Sequence, residues 1–288
     1  MTTRRAVVVG ASGAIGGRLA GRLVAEGWAV VRACRTPRSA ADLRLDLSAA
    51  AVTWPFWPRA DVTYICAGAG GLEECERDPA ATRRVNVEGV GAIARHAAGT
   101  GSRVVFVSTS HVFEGEQRIA RASDPRRPRT EYGRQKAEAE LAVLELPGAA
   151  VLRCSKVIGP GDARLLGWHR ALLAGRSVEA FDDLRVAPLS MEDAVAALIA
   201  VGDAAEEGVF QLSATDDVSY FSMALALAGF VGAPSSLVVR ASAQAAGVPA
   251  AWRPRGVLLE QKLPRPIDPA PYDVVIARAL NLTRDLTP

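Results

Sequence analysis

The chain lacks any apolar run long enough to span a membrane; residues 194–201 are about its longest, far short of the roughly 20 a bilayer demands. It also lacks a leader pattern: Arg4 and Arg5 precede an apolar run that stops at Gly10, too short for a signal peptide. Cysteine is scarce, with Cys34, Cys66, Cys75 and Cys154 forming no CxxC pair. Three of these, Cys34, Cys66 and Cys154, lie in or beside strand-like segments, the setting of reduced, buried thiols. Three histidines without ligand spacing give no reason to expect a metal site. Nor does one charge prevail: 34 Lys and Arg against 31 Asp and Glu leave a net +3. That balance is too even for a nucleic acid or an anionic membrane as partner. A cytoplasmic protein acting on a small molecule is the expectation, with a homodimer left open.

What is present is a globular composition. Of 288 residues, 49% are hydrophobic and 23% charged, enough to bury the core of one large domain, or of a large and a small one. Short runs rich in Val, Ile and Ala at Arg5–Val9, Ala29–Cys34, Val62–Cys66, Arg103–Ser108 and Ala149–Arg153 read as parallel strands covered on both faces. Helical patterns intervene at Ala14–Glu26, Pro79–Ala98 and Thr130–Leu146. In the first of them Ile15, Leu19 and Leu23 recur every four residues as an inward stripe. This alternation predicts an α/β fold with a Rossmann-type, doubly wound parallel sheet. The expected division is a nucleotide-binding domain over 1–160, with some later segments returning to it, and a smaller substrate-binding part over 161–288. In the second part, helices are expected at Met191–Val201 and Ser219–Gly229 and a strand at Val209–Leu212. The proline-dense stretch from Pro249 to Pro271 predicts irregular chain.

The strongest local signal follows the first strand. Gly10, Ser12, Gly13, Ala14, Ile15 and Gly16 form a GxxGxxG turn into a helix. Glycine lets the backbone approach a pyrophosphate, and the helix N-terminus offers it free N–H groups. The second strand ends in Arg35, followed by Arg38, with no acid until Asp42. An acid there would accept from a ribose 2′-hydroxyl; a guanidinium instead grips a 2′-phosphate. The expected cofactor is therefore NADP(H), held by Arg35 first and Arg38 second. Asp46 and Leu47, in a short third strand, are placed near the adenine. Ala67, Gly68 and Ala69, after the fourth strand, are placed near the ribose.

Tyr132 and Lys136 stand one turn apart at the start of a helix. A phenol has a pKa of about 10, so a neighbouring cation that favours its phenolate suits it for proton transfer. The preceding strand delivers Ser108, Thr109 and Ser110 to the carboxyl edge of the sheet, where ligands bind in such folds.

In this order and spacing, GASGAIG at 10–16, NVEG at 86–89, VSTSHVFEG at 107–115, YGRQK at 132–136 and VLRCSKVIGPG at 151–161 resemble the extended short-chain dehydrogenase/reductase family. Within that family the chain is most similar to the dTDP-4-dehydrorhamnose reductase group. The resemblance implies an NADPH-dependent reductase of a keto group on a nucleotide-linked sugar. It implies Thr109 as the hydroxyl that orients the carbonyl, Tyr132 as the acid and Lys136 as its partner. Ser108 and Ser155 are implied cofactor contacts, and Asn86 a structural brace. The group's Asp-Tyr after the threonine is replaced here by Ser110-His111, and its Trp after the sixth strand by Lys156. These three residues would line the sugar pocket, so the sugar itself stays open. His111 is read as a packed residue, and the run Arg126, Arg127, Arg129 as a solvated loop. Two alternatives stand beside the reductase: a redox-neutral epimerase or dehydratase, and a non-catalytic regulatory binding subunit.

Overall fold

In the computed structural model, which describes residues 3–49, 54 and 57–282, the apolar runs become adjacent strands. They are β1 (Arg5–Val9), β2 (Ala29–Cys34), β3 (Leu43–Arg44), β4 (Val62–Ile65), β5 (Arg103–Thr109), β6 (Ala150–Cys154) and β7 (Gly208–Leu212). All pair in parallel, in the order β3-β2-β1-β4-β5-β6-β7. The winding reverses between β1 and β4, so a crevice opens at the carboxyl ends of these two strands. The expected strands and the doubly wound sheet are therefore present, with end shifts of one residue. The third strand is displaced: it covers Leu43–Arg44, and Asp46 and Leu47 lie just beyond it.

The helices are α1 (Ala14–Ala25), α2 (Leu72–Arg77), α3 (Pro79–Arg83), α4 (Val90–Gly99), α5 (Glu131–Leu144), α6 (Ala163–Leu173), α7 (Met191–Asp203), α8 (Tyr220–Phe230) and α9 (Tyr272–Ala279); α1 and α7 cover one face of the sheet, α4 and α5 the other. Alternate residues of β1 feed two cores. Val8 shares one core with Leu19, Leu23 and Leu198; Val7 and Val9 share the other with Ile93 and Val143. A fully buried Leu such as Leu198 contributes about 1.5–3 kcal/mol, and its truncation to Ala would cost about 2–5 kcal/mol.

The single helix expected over Pro79–Ala98 is broken. A π-helical segment, Arg84–Gly89, separates α3 from α4, a device often found next to functional sites. It carries Asn86, whose amide donates to Ala69 O (3.0 Å) and Gln135 Oε1 (2.9 Å) and accepts from Ala69 N (2.7 Å). Asn86 thus braces the loop after β4 against α5, as its sequence context implied.

A third core, built from Leu165, Trp168, Leu172, Met223, Leu227 and Ile276, belongs to the later part of the chain. Helix α7 and strand β7 return from that part to the sheet. The proline-dense stretch is not wholly irregular. Leu258–Leu259 pairs with Ile119–Ala120, and Lys262 exchanges backbone hydrogen bonds with Gln211. It thereby closes one side of the crevice. No helix of the described residues is long and apolar enough to cross a membrane.

Candidate active site

The crevice holds a cavity of about 810 Å³. Of the residues singled out in the sequence, Ile15, Ala67 and Gly68 line its inner end. Ser108, Thr109, Ser110, His111, Tyr132 and Lys136 form its floor, with Ser155 and Lys156 beside them.

The glycine turn is shaped by close approach. Gly10 has φ +84°, and a Cβ there would lie 2.7 Å from Ala67 N; a Cβ at Gly16 would overlap Gly10 O. Gly13 caps α1 without a side chain, so the first N–H groups of the helix receive no side-chain cap. Arg32, which the sequence reading passed over, donates to Ala11 O (2.9 Å) and holds this turn from below.

Arg35 and Arg38 are exposed beyond β2. Asp42, which looked remote along the chain, folds back onto the strand end. Its buried carboxylate accepts from Arg38 N (2.8 Å) and Ser39 Oγ (3.1 Å) and lies 3.6 Å from Arg32 Nε. These partners, led by the Arg38 backbone N–H, hold it below the usual carboxylate range. Asp46, expected at the adenine, accepts from both the N–H and the hydroxyl of Ser48 through Oδ1. These bonds lower its pKa, aided by the nearby Arg35 charge. Ala69, expected at the ribose, instead has both backbone groups taken by Asn86. Leu47 is buried, with its carbonyl against Gly89.

Helix α5 starts at a Thr130 cap, whose hydroxyl accepts from Gly133 N at 3.1 Å. Its first two turns carry Tyr132 and Lys136. Burial pushes the phenol up to about 12, opposed by the Thr109 hydroxyl. Lys136, expected to be the group that favours the phenolate, follows one turn later on the same helix. Its ammonium donates to Val107 O at 2.8 Å, with the Phe106 ring 4.4 Å away. Burial lowers Lys136 to about 8, and Glu140 opposes this. Cys66 and Cys154 line the cavity as neutral thiols, pushed up to about 12 by burial.

His111 sets its ring edge-on to Tyr132, centroids 5.8 Å apart. Burial, reinforced by the Lys156 charge, lowers it to about 4, so the imidazole is neutral near pH 7. The Ser108 hydroxyl donates to Glu140; only its remaining surface faces the cavity. Arg126, expected in a solvated loop, reaches the buried Glu140 carboxylate at 3.3 Å, while Arg127 and Arg129 line the cavity mouth. The loop is drawn inward because a buried carboxylate needs counter-charge. The outer wall, with Arg164, Phe181, Arg185, Tyr220 and Trp252, was not legible: these residues share no motif and meet only through the fold.

The residues present fit a dinucleotide. The glycine turn packs its own backbone tightly, Gly10 against Ala67 and Gly16 against Gly10, and the helix end that follows carries no side-chain cap. The Ser155 hydroxyl, buried beside the cavity, has no hydrogen-bond partner, and an orphan of this kind is costly unless a ligand satisfies it.

The model of the RmlD substrate binding domain family matches residues 4–281. The chain is 30% identical to dTDP-4-dehydrorhamnose reductase of Mycobacterium tuberculosis over 78% of this chain and 75% of that protein. It is 26% identical to methionine adenosyltransferase 2 subunit beta of Bos taurus over 81% and 74%. Its fold is similar to that of a dTDP-4-dehydrorhamnose reductase from Bacillus anthracis solved in complex with NADP, with TM-score 0.84, 18% identity, and 96% and 99% of the two chains covered.

Proposed function

The chain belongs to the RmlD substrate-binding-domain family, and from that premise we propose that it is an NADPH-dependent reductase of a keto group on a nucleotide-linked sugar, similar to the dTDP-4-dehydrorhamnose reductases. One observation carries this: the cavity that reaches Ile15, in the glycine turn, also holds a protonated phenol, Tyr132, together with the Thr109 hydroxyl.

Bound NADPH supplies the hydride. The glycine turn would hold its pyrophosphate, and Arg35, with Arg38, the 2′-phosphate. Ser155 and Lys136 would reach its inner part. Thr109 orients the substrate carbonyl oxygen by hydrogen bonding. Tyr132 keeps its proton on Oη at neutral pH, as its raised pKa requires, and releases it to that oxygen as negative charge develops there. Lys136 keeps a positive charge under the site, which eases loss of the phenolic proton. The neutral His111 packs the phenol in place, and Lys156 and Ser110 face the sugar.

The test is NADPH oxidation across a panel of nucleotide-linked 4-keto sugars. The wild type should turn over at least one of them. Tyr132→Phe should lose about 10²-fold or more in kcat while still binding NADPH. Redox-neutral conversion of a sugar nucleotide would instead favour an epimerase or dehydratase. The similarity to the adenosyltransferase beta subunit supports a second reading, a regulatory binding subunit. It would prevail if NADPH bound and no sugar in the panel was reduced.

A further inference from the structure

Helix α5 carries a third ionisable group on the face of Tyr132 and Lys136. It is Glu140, one turn beyond the lysine. Its carboxylate is fully buried and both oxygens are used. Oε1 accepts from Ser108 Oγ (2.5 Å) and Arg153 Nε (2.9 Å); Oε2 accepts from Arg153 Nη2 (2.7 Å) and Arg126 Nη1 (3.3 Å). Arg153, equally buried, also donates to Ala122 O and Gln211 Oε1 and stands over the Phe113 ring. One carboxylate therefore ties α5 to the ends of β5 and β6 and to the loop at the cavity mouth. A buried ion pair adds little net stability, because desolvation offsets the attraction and packed apolar residues would serve as well. Holding the fold together does not by itself account for it.

We propose that Glu140 is a positioning residue for the Tyr132–Lys136 pair, acting through the strand end Val107–Thr109 and as a negative charge facing the lysine. The proposal rests on the reading that these two residues carry the chemistry. The mechanical link is short. Ser108, held by Glu140, stands between Val107, whose carbonyl accepts from Lys136, and Thr109, whose hydroxyl acts on Tyr132. The electrostatic link is as direct. The other titratable groups acting on the ammonium are Cys66 after β4, Cys154 at the end of β6 and Cys75 on α2, and burial keeps these thiols protonated. Tyr132, on the same helix, is protonated too. Arg126 and Arg153 face Glu140 from the loop and from β6 and balance its charge in part. Among these groups Glu140 alone bears a negative charge, and it opposes the burial that drives Lys136 toward neutrality.

The chain contains three lysines, Lys136, Lys156 and Lys262, so selective 13Cε labelling resolves the Lys136 titration by NMR in the full-length protein, independent of turnover. Glu140→Gln should lower that titration by about one pH unit, shift the upper limb of the kcat–pH profile equally, and cut kcat about tenfold at neutral pH with KM little changed. Ser108→Ala keeps the charge and removes the strand link, so kcat should fall severalfold with the titration unmoved. A folded Glu140→Gln protein with unshifted titration, whatever its thermal stability, would overturn the proposal. Should that variant not fold, Glu140→Asp and Ser108→Ala decide: unchanged kcat in both overturns it equally. If the wild type reduces no sugar, the functional reading fails alone, and the lysine titration still settles the role of Glu140.

Discussion

Gly133 packs its Cα against the main-chain carbonyl of His111 so closely that a Cβ there would overlap the oxygen. This contact seats the first turn of α5 on the loop after β5 and brings the Tyr132 ring edge-on to His111. Helix propensity alone favours Ala over Gly by about 1 kcal/mol. Overpacking costs about 1–3 kcal/mol, and here it wins. Gly133→Ala should lower the melting temperature and reduce kcat by displacing the phenol. A variant that melts higher and keeps full activity would show that the approach is looser than the geometry indicates.

The buried Lys136 makes a second prediction, with a definite sign. Its pKa falls from 10.5 to about 8 on folding, so between those values the unfolded chain binds more protons. Stability therefore rises with pH across that window. Below it, burying the charge costs on the order of 3 kcal/mol. Lys136→Met should melt higher than the wild type at pH 7, lose the rise in stability between pH 8 and 10, and be inactive. A lower melting temperature at pH 7 would contradict this.

Ser155 offers a test of ligand fit without chemistry. Its unpartnered buried hydroxyl costs about 1–3 kcal/mol when nothing binds it. Ser155→Ala should leave the ligand-free protein as stable or more so, and weaken NADPH binding about five- to tenfold, read by fluorescence titration. Unchanged affinity would remove Ser155 from the cofactor site.

Cofactor choice is tested at Arg35, which is exposed at the end of β2. A charge-assisted contact with a 2′-phosphate contributes about 1.5–3 kcal/mol, so Arg35→Ala should raise the NADPH Kd roughly 10- to 100-fold and leave the NADH Kd nearly unchanged. Equal losses for both nucleotides would sink the assignment.

The strand runs, the glycine turn and the Tyr132–Lys136 spacing were legible because each is a local pattern of two to seven residues. Residues 79–99 defeated local reading: the helical pattern runs through, but packing of Gly89 against the Leu47 carbonyl and the bonds of Asn86 accompany a π-helical turn in its middle. Helices α6 and α9 went unforeseen, since their apolar faces gain meaning only against α8 in the third core. Arg126 was misplaced, and the contacts of Asp42 went unforeseen, for a common reason. Each is a charge whose partner lies elsewhere in the chain or across a turn, and charge by itself does not say which way a side chain will face.

By itself the chain's order of residues determined the doubly wound sheet, the glycine turn and the placing of Tyr132 and Lys136 one turn apart on a helix, because backbone geometry and helical periodicity act between near neighbours. Only the tertiary structure decided what surrounds that pair: the Thr109 hydroxyl acting on the phenol, the orphan hydroxyl of Ser155, and the Glu140–Arg153 ion pair. Those follow from desolvation, and a group loses its water only when distant segments close over it.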